Sequence, residues 1–283
     1  MRVVRRAYAK QILAAVNVSD PRIEQAFCDV KREDFLGDGP WQIFRMHGYV
    51  PTPDDDPVYL YADCLVGIVP EKNVNNGQPS LHAYLLAAAG IKEGDHVVHV
   101  GTGTGYYTAI MAHLAGKTGR VTGIEFDPHL AERAKDNLKK YPNVEILTGD
   151  GAITPFAPAD VIYVNAGATQ PAKAWLDGLS YSGRLILPLT TDQGFGTSID
   201  IGKMAQRGAV FRIQRSDNVY SARWISPVAI FPCAGGRDAE SGKALAGALE
   251  NGKVRQVTRL YRDEAISQDR VWLAGDGWTL AYS

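Results

Sequence analysis

The sequence predicts an α/β fold: a mostly parallel sheet covered by helices and finished by antiparallel strands, with a helical N-terminal region and a small α+β C-terminal extension. Three observations predict it. From His96 to Leu187 short apolar runs alternate with helical segments, the rhythm of strands joined by helical crossovers. One of those strands runs straight into glycines at alternate positions, Gly101, Gly103 and Gly105. After Pro188 longer alternating segments take over. With 283 residues, 45% hydrophobic and 22% charged, the chain can bury a large core unaided, which excludes disordered, collagenous and small disulfide-stapled classes. Its 30 basic and 31 acidic side chains leave a formal charge of −1, so no bulk field draws it to nucleic acid or to an anionic membrane. Cys28, Cys64 and Cys233 are too widely spaced for a disulfide framework or zinc knuckle and fit a reducing cytoplasm.

The elements follow in order. Arg5, Arg6 and Lys10 interrupt the first apolar run, so it reads as an amphipathic helix from about Arg6 to Val16 and not as a signal peptide. No run approaches the roughly 18 apolar residues of a membrane span. Ile23, Ala26, Phe27 and Val30 predict a second helix over Arg22–Phe35, stopped by Gly37 to Pro40. Met46 to Pro57 carries three prolines and the run Asp54-Asp55-Asp56, which reads as a solvated loop, so no metal site is expected. Ser80–Gly90 is an apolar helix closed by a glycine suited to a left-handed cap. His96–Val100, Arg120–Glu125, Val144–Leu147, Val161–Val164 and Arg184–Leu187 are strands. Tyr106–Ala115, Pro128–Lys140 and Pro171–Leu179 are helices, Asp127 being the N-cap before a first-turn proline. Gly196–Met204, Ala209–Gln214 and Ser226–Phe231 are expected antiparallel strands. Gly235-Gly236 marks a linker to a helix over Asp238–Glu250 and strands over Val254–Tyr261 and Arg270–Tyr282. The implied organisation is a helical and loop region over 1–80, a central domain over 81–231 and an extension over 232–283.

The loop Val100-Gly101-Thr102-Gly103-Thr104-Gly105 lets backbone approach a ligand, with helix N–H groups facing it. A dinucleotide fold wants a third glycine where this chain has Tyr106, which disfavours NAD and FAD. Glu125 ends the next strand, where an acid can take both hydroxyls of a ribose. Asp150 follows a third strand in Thr148-Gly149-Asp150-Gly151, where a carboxylate can accept from an adenine amino group. The alternative for both acids is an ordinary turn or cap role. Together with the glycine loop they describe a site for an adenosine bearing no phosphate, and S-adenosylmethionine (SAM) is such a ligand, its product being S-adenosylhomocysteine.

From about Arg22 to Phe231 the sequence resembles the protein-L-isoaspartate (D-aspartate) O-methyltransferase family. The residues that carry this are Val30-Lys31-Arg32-Glu33-Asp34-Phe35, Tyr61-Ala62-Asp63, Val100 to Tyr106, Gly123-Ile124-Glu125, Gly149-Asp150-Gly151, Asn165-Ala166-Gly167-Ala168 and Gly183 to Pro188. The resemblance implies a Rossmann-like methyltransferase that esterifies the free carboxylate of isomerised aspartyl residues and so starts their repair through a succinimide. It implies cofactor contacts from Ser80, His82, Gly101, Thr102, Gly103, Thr104, Gly105, Glu125, Phe126, Asp150 and Gly151, and an acceptor rim from Asn75, Asn76, Gly77 and Ser80. Two positions depart from the family. The family's Thr-Ile-Ser, whose serine hydroxyl sits beside the acceptor carboxylate, falls on Asn75-Asn76-Gly77, so slower isoaspartyl methylation than in serine-bearing members is expected. His99 stands where the family has an acid.

Three readings stay open at this level. One is a carboxyl O-methyltransferase acting on a protein or peptide. Another is a SAM-dependent enzyme with a different acceptor, such as a small molecule or peptide natural product. The third is a non-catalytic SAM-binding module. Amino methylation of a nucleic-acid base is disfavoured because Val164-Asn165-Ala166-Gly167 lacks the Asn-Pro-Pro-aromatic loop that clamps a flipped base.

Overall fold

The computed structural model describes residues 1–45, 48–72, 74–191, 204–230, 232–233 and 235–282. In chain order the elements are α1 (Arg2–Ala15), α2 (Pro21–Asp29), β1 (Gln42–Arg45), β2 (Gly48–Pro51), β3 (Gly67–Val69), β4 (Val74–Asn75), α3 (Pro79–Ala89), β5 (His96–Val100), α4 (Tyr106–Ala115), β6 (Arg120–Glu125), α5 (Pro128–Leu138) and β7 (Val144–Thr148). There follow β8 (Ala159–Val164), α6 (Lys173–Asp177), β9 (Leu179–Thr190), α7 (Met204–Arg207), β10 (Gly208–Ser216), β11 (Val219–Pro227), α8 (Ala239–Glu250), β12 (Val257–Arg262), β13 (Val271–Gly275) and β14 (Trp278–Tyr282). The fold class is α/β, with a helix following each of β5, β6 and β8 and none between β7 and β8. No helix of the described residues is long and apolar enough to cross a membrane.

The chain divides into two compact units, Met1–Asp95 with Thr102–Gly149, and His96–Gly101 with Asp150–Ser283. In the first unit, α1 buries Tyr8, Ala9, Ile12 and Leu13 from one face. Asp20 caps α2 by accepting from the Arg22 N–H at 2.8 Å, and Pro21 supplies the first turn. The helix expected over Arg22–Phe35 ends at Asp29 instead, because Val30 turns extended (φ −78°, ψ 114°) and the chain resumes as a 3₁₀ turn over Glu33–Phe35. The bend lets both Val30 and the Arg32 side chain go inward, which one continuous helix face would not allow. α3 closes on Gly90 at φ 59°, the left-handed cap its sequence requires. Asp127 accepts from the His129 and Leu130 N–H groups and fixes the start of α5. β6 and β7 pair in parallel.

In the second unit β5, β8 and β9 pair in parallel, and β9, β10 and β11 pair antiparallel. The extension continues this sheet: β12 pairs with β11, β14 with β12 and β13 with β14. Trp272 of β13 packs on Phe211 of β10 with ring centroids 5.3 Å apart.

Three expected elements are corrected here, and a fourth lies outside the described residues but for its last position. The strand expected over Ser226–Phe231 lies earlier, as β11, because Tyr220, Ala222 and Ile225 supply the buried alternation. The segment Arg270–Tyr282 is a hairpin and not one strand, since the Asp276-Gly277 turn, with Gly277 at φ 73°, folds it back. The helix over Pro171–Leu179 is only α6, as Leu179 already belongs to β9. The strand over Gly196–Met204 lies outside the described residues up to 203, and Met204 opens α7.

Candidate active site

In the first unit the glycine loop bends back on the carboxyl end of β6. Thr102 N–H donates to the Ile124 carbonyl at 3.3 Å, and Gly105 N–H donates to the Thr102 carbonyl at 3.1 Å. Gly103 (φ 57°) and Gly105 (φ 99°) hold left-handed backbone, which L side chains resist. A Cβ on Gly105 would overlap Leu138, whereas one on Gly103 would meet only the tip of Ile68, at 3.9 Å. The loop is therefore packed beneath Gly105 and open beside Gly103. Tyr106 belongs to the core, only 1% exposed and edge-on to Phe35 and Phe27.

Glu125 completes this corner. Its Oε2 accepts from the Gly103 N–H at 2.6 Å and its Oε1 from the Asp127 N–H at 3.0 Å. Backbone N–H donors thus fix the carboxylate plane. A carboxylate held at this strand end can accept from the vicinal hydroxyls of a ribose. Burial raises the Glu125 pKa, with the Asp127 and Gly103 N–H groups opposing the rise. For an acid with a raised folded-state pKa, the stability penalty is present above that pKa and is relieved as the pH falls through it. Ligand binding runs the other way, because two ribose hydroxyls can donate only to the ionised form. SAM affinity is expected to fall on acidification from a pH above the ordinary carboxylate range. Calorimetric titrations across pH should show this for the native protein and a flat profile for Glu125→Gln. Next to Glu125, Phe126 presents a large apolar ring, 56% exposed.

The segment Asn75 to His82 lies in the same unit. Asn75 Oδ1 accepts from the Gly77 N–H at 2.8 Å, and Asn76 Oδ1 accepts from Arg32 Nε at 2.9 Å. Ser80 donates both its N–H (2.8 Å) and its hydroxyl (2.7 Å) to Asp63, which also accepts from Gln78 Nε2 at 3.0 Å. His82 is stacked on Tyr107, centroids 3.6 Å apart. The residues expected at the acceptor rim are thus brought together, each with a structural hydrogen bond or, at Gly77, with no side chain.

Gly77 is glycine for two reasons: its φ is 74°, and a Cβ would overlap His82 Nε2 and stand 3.0 Å from Cδ2. Replacing it with serine therefore does more than restore a hydroxyl. Gly77→Ser is expected to lose roughly 1–2 kcal/mol from left-handed backbone alone, and more from displacing His82. Thermal unfolding of Gly77→Ser beside Gly77→Ser/His82→Ala checks this, the pair being expected to recover part of the loss.

Arg32 and Asp63 lie within the motifs Val30 to Phe35 and Tyr61 to Asp63, and their supporting role emerges only from the structure. Arg32 is fully buried and donates to Asn76 Oδ1, the Leu60 (2.6 Å), Ala62 (3.2 Å) and Cys64 (2.8 Å) carbonyls. One guanidinium thus ties residues 60–64 to Asn76, and Asp63 ties the same stretch to the start of α3. For Asp63 the sequence signal is a charged side chain among Tyr61, Ala62, Cys64 and Leu65; Arg32, between Lys31 and Glu33, carries none.

In the second unit, Gly101 (φ 79°) packs on Asn165, whose Nδ2 donates to the Gly101 carbonyl at 3.3 Å. Asp150 Oδ1 accepts from the Ala152 N–H at 2.8 Å, and the Gly151 carbonyl accepts from Trp175 Nε1 at 2.7 Å. Gly235 lies flat against the Asp150 carboxylate, where a Cβ would overlap both oxygens. His99 is fully buried beside Tyr163, and burial lowers its pKa to about 3, so it is neutral at physiological pH.

An α/β fold with a glycine turn gripped by an acid at the next strand's end is that of the Rossmann-like SAM-dependent methyltransferases. A solved protein-L-isoaspartate O-methyltransferase matches 98% of this chain and 88% of its own at a TM-score of 0.65 and 23% identity. A Plasmodium falciparum structure named for the same activity and holding S-adenosyl-L-homocysteine matches 81% of this chain and 97% of its own, with TM-score 0.61 and 19% identity. At those identities the likeness speaks for the fold. Residues 9–216 match the family model described as protein-L-isoaspartate(D-aspartate) O-methyltransferase, and the chain belongs to that family. The Ignicoccus hospitalis protein-L-isoaspartate O-methyltransferase is 37% identical over 232 residues, 81% of this chain and 96% of that protein. The Thermotoga maritima one is 29% identical over 73% of this chain and 58% of its own length.

Proposed function

We propose that this protein transfers a methyl group from SAM to the free carboxylate of an isomerised aspartyl residue in a protein or peptide. The grip of Glu125 on Gly103, within a chain matched to the family over 9–216, is the observation that supports it best. Bound SAM supplies an electrophilic methyl on a sulfonium; the carboxylate oxygen forms the new C–O bond as the C–S bond breaks, giving a methyl ester and S-adenosylhomocysteine. No proton moves, because a carboxylate is ionised at neutral pH, and no base is required of the protein.

The chain's own work is to hold, align and exclude water. Glu125 would take the ribose, Gly103 and its neighbours Thr102, Thr104 and Gly105 the methionine end, and Phe126 a face of the adenine. The family resemblance also assigns Gly101, Asp150 and Gly151 to the cofactor. The rim of Asn75, Asn76, Gly77, Ser80 and His82 would bound the acceptor, and Asp63 and Arg32 would hold the rim. In this scheme 1–80 serves the acceptor, 81–231 the cofactor, and 232–283 extends the second unit. A reducing compartment belongs to the same proposal and is supported by three free cysteines.

A second reading, another carboxylate acceptor, is favoured by Gly77, which offers no hydroxyl where the family resemblance places one. Initial rates with an isoaspartyl peptide and its normal aspartyl counterpart test between them. The first reading expects transfer to the isoaspartyl peptide only. Transfer to the aspartyl peptide alone would establish the second, and turnover of neither would remove both.

A further inference from the structure

In the second unit the strands β9, β10 and β11 gather arginines on one face of the sheet. Arg212 of β10 is the register partner of Arg223 of β11, so the two side chains leave the sheet on the same side. Arg184 of β9 faces Gln214, two residues along β10 from Arg212, and therefore shares that side. Like charges directly opposite one another across a strand pair repel. The neighbouring rung does not offset this: Gln214 opposite Ser221 is uncharged, and Ser221 in turn faces a further arginine, Arg259 of β12. Arg184 has a partner of its own, whereas among the described residues neither Arg212 nor Arg223 makes an ion pair or a side-chain hydrogen bond. Arg212 is half-buried with its Nε sealed from solvent, while Arg223 and Arg259 are exposed. Burial and the charges of Arg184 and Arg223 hold the Arg212 pKa below the usual guanidinium range, with no carboxylate acting the other way.

We propose that Arg212 and Arg223 form a binding site for a phosphoryl dianion, with Arg259 at its rim. A guanidinium carries N–H donors in a planar fork matched to phosphate oxygens. Two neighbouring forks carry the charge that one dianion neutralises, whereas a single carboxylate would leave one cation uncompensated. The half-buried Arg212 sets the floor of the site, and the exposed Arg223 leaves it open to solvent. β10 and β11 lie three and four strands away from β5, whose end carries Gly101, a separation of about 14–19 Å at the usual strand spacing. The site is thus separate from the glycine loop and stands whether or not the proposed methyl transfer does. Free phosphate and a phosphorylated side chain present this same chemistry.

Isothermal titration of the full chain with inorganic phosphate, at an ionic strength held constant with chloride, tests this. One site per chain is expected, and phosphate should raise the melting temperature as a ligand of the folded state does. Arg223→Gln, at an exposed position outside the cofactor and acceptor residues, is expected to weaken phosphate roughly 10- to 100-fold, the range for hydrogen bonds to a charged group. SAM affinity should stay within about 2-fold, as for distant, independent sites. Arg212→Gln should weaken phosphate similarly, and Arg259→Gln less. Titration with O-phosphoserine separates the two sources. Tighter binding than inorganic phosphate assigns the site to a phosphorylated side chain, and weaker binding to the free ion; either sustains the site where Arg223→Gln removes it. No binding of phosphate or phosphoserine up to about 10 mM, or binding that Arg223→Gln leaves unchanged, would overturn the proposal.

Discussion

Arg32→Met is expected to destabilise the protein by roughly 3–5 kcal/mol, the range for breaking a buried charged network by removing one side. Methionine fills the apolar stem but leaves the Leu60, Ala62 and Cys64 carbonyls and Asn76 Oδ1 without the donor they now have. Each buried acceptor left unsatisfied costs about 1–3 kcal/mol, less than additively where the loop can reach water. For a chain of this size that corresponds to a fall in melting temperature on the order of 10 °C. Arg32→Lys should recover only part of it, since one ammonium cannot reach acceptors spread around a planar fork. Thermal unfolding of the three proteins measures this. A melting temperature for Arg32→Met within about 2 °C of the native value would mean that the network adds little.

Glu125→Ala is expected to weaken SAM by roughly 30-fold or more, from two hydrogen bonds to a charged group worth about 1.5–3 kcal/mol each, partly replaced by water. The substitution also frees the Gly103 N–H, whose present partner is Glu125 Oε2 at 2.6 Å, so the glycine turn loosens as the ribose acceptor disappears. Glu125→Gln should lose less, because its amide oxygen can still accept from one backbone N–H. Isothermal titration with SAM and S-adenosylhomocysteine measures both. Native-like affinity in Glu125→Ala would place the ribose elsewhere.

Much of this architecture was legible where a local pattern decided it. Asp127-Pro128 fixed the start of α5, Gly90 the end of α3, and the strand running into Gly101, Gly103 and Gly105 was read at its observed position. The errors fell where a local pattern continued past its structural end. Alternation across Arg270–Tyr282 hid the turn at Asp276-Gly277, and the apolar spacing through Val30 hid the bend after Asp29.

The site was legible in its backbone and its acids, and less so in its supports. Arg32 lies 44 residues from Asn76, and Asp63 lies 17 from Ser80. Nothing in residue spacing announces such pairs, which exist only once the chain has folded. Gly235 looked like a linker because the reason for its missing side chain, the Asp150 carboxylate, stands 85 positions earlier in the chain. Gly77 looked like a lost hydroxyl, and its left-handed backbone and the His82 ring beside it were invisible to the sequence.

The most direct test of carboxyl methylation is to incubate the protein with labelled SAM and an isoaspartyl peptide and locate the label by tandem mass spectrometry before and after mild base. The account predicts one methyl on the carboxylate of the isoaspartyl residue, held as an ester and released by base as methanol. Label on a nitrogen or sulfur, stable to base, would contradict it.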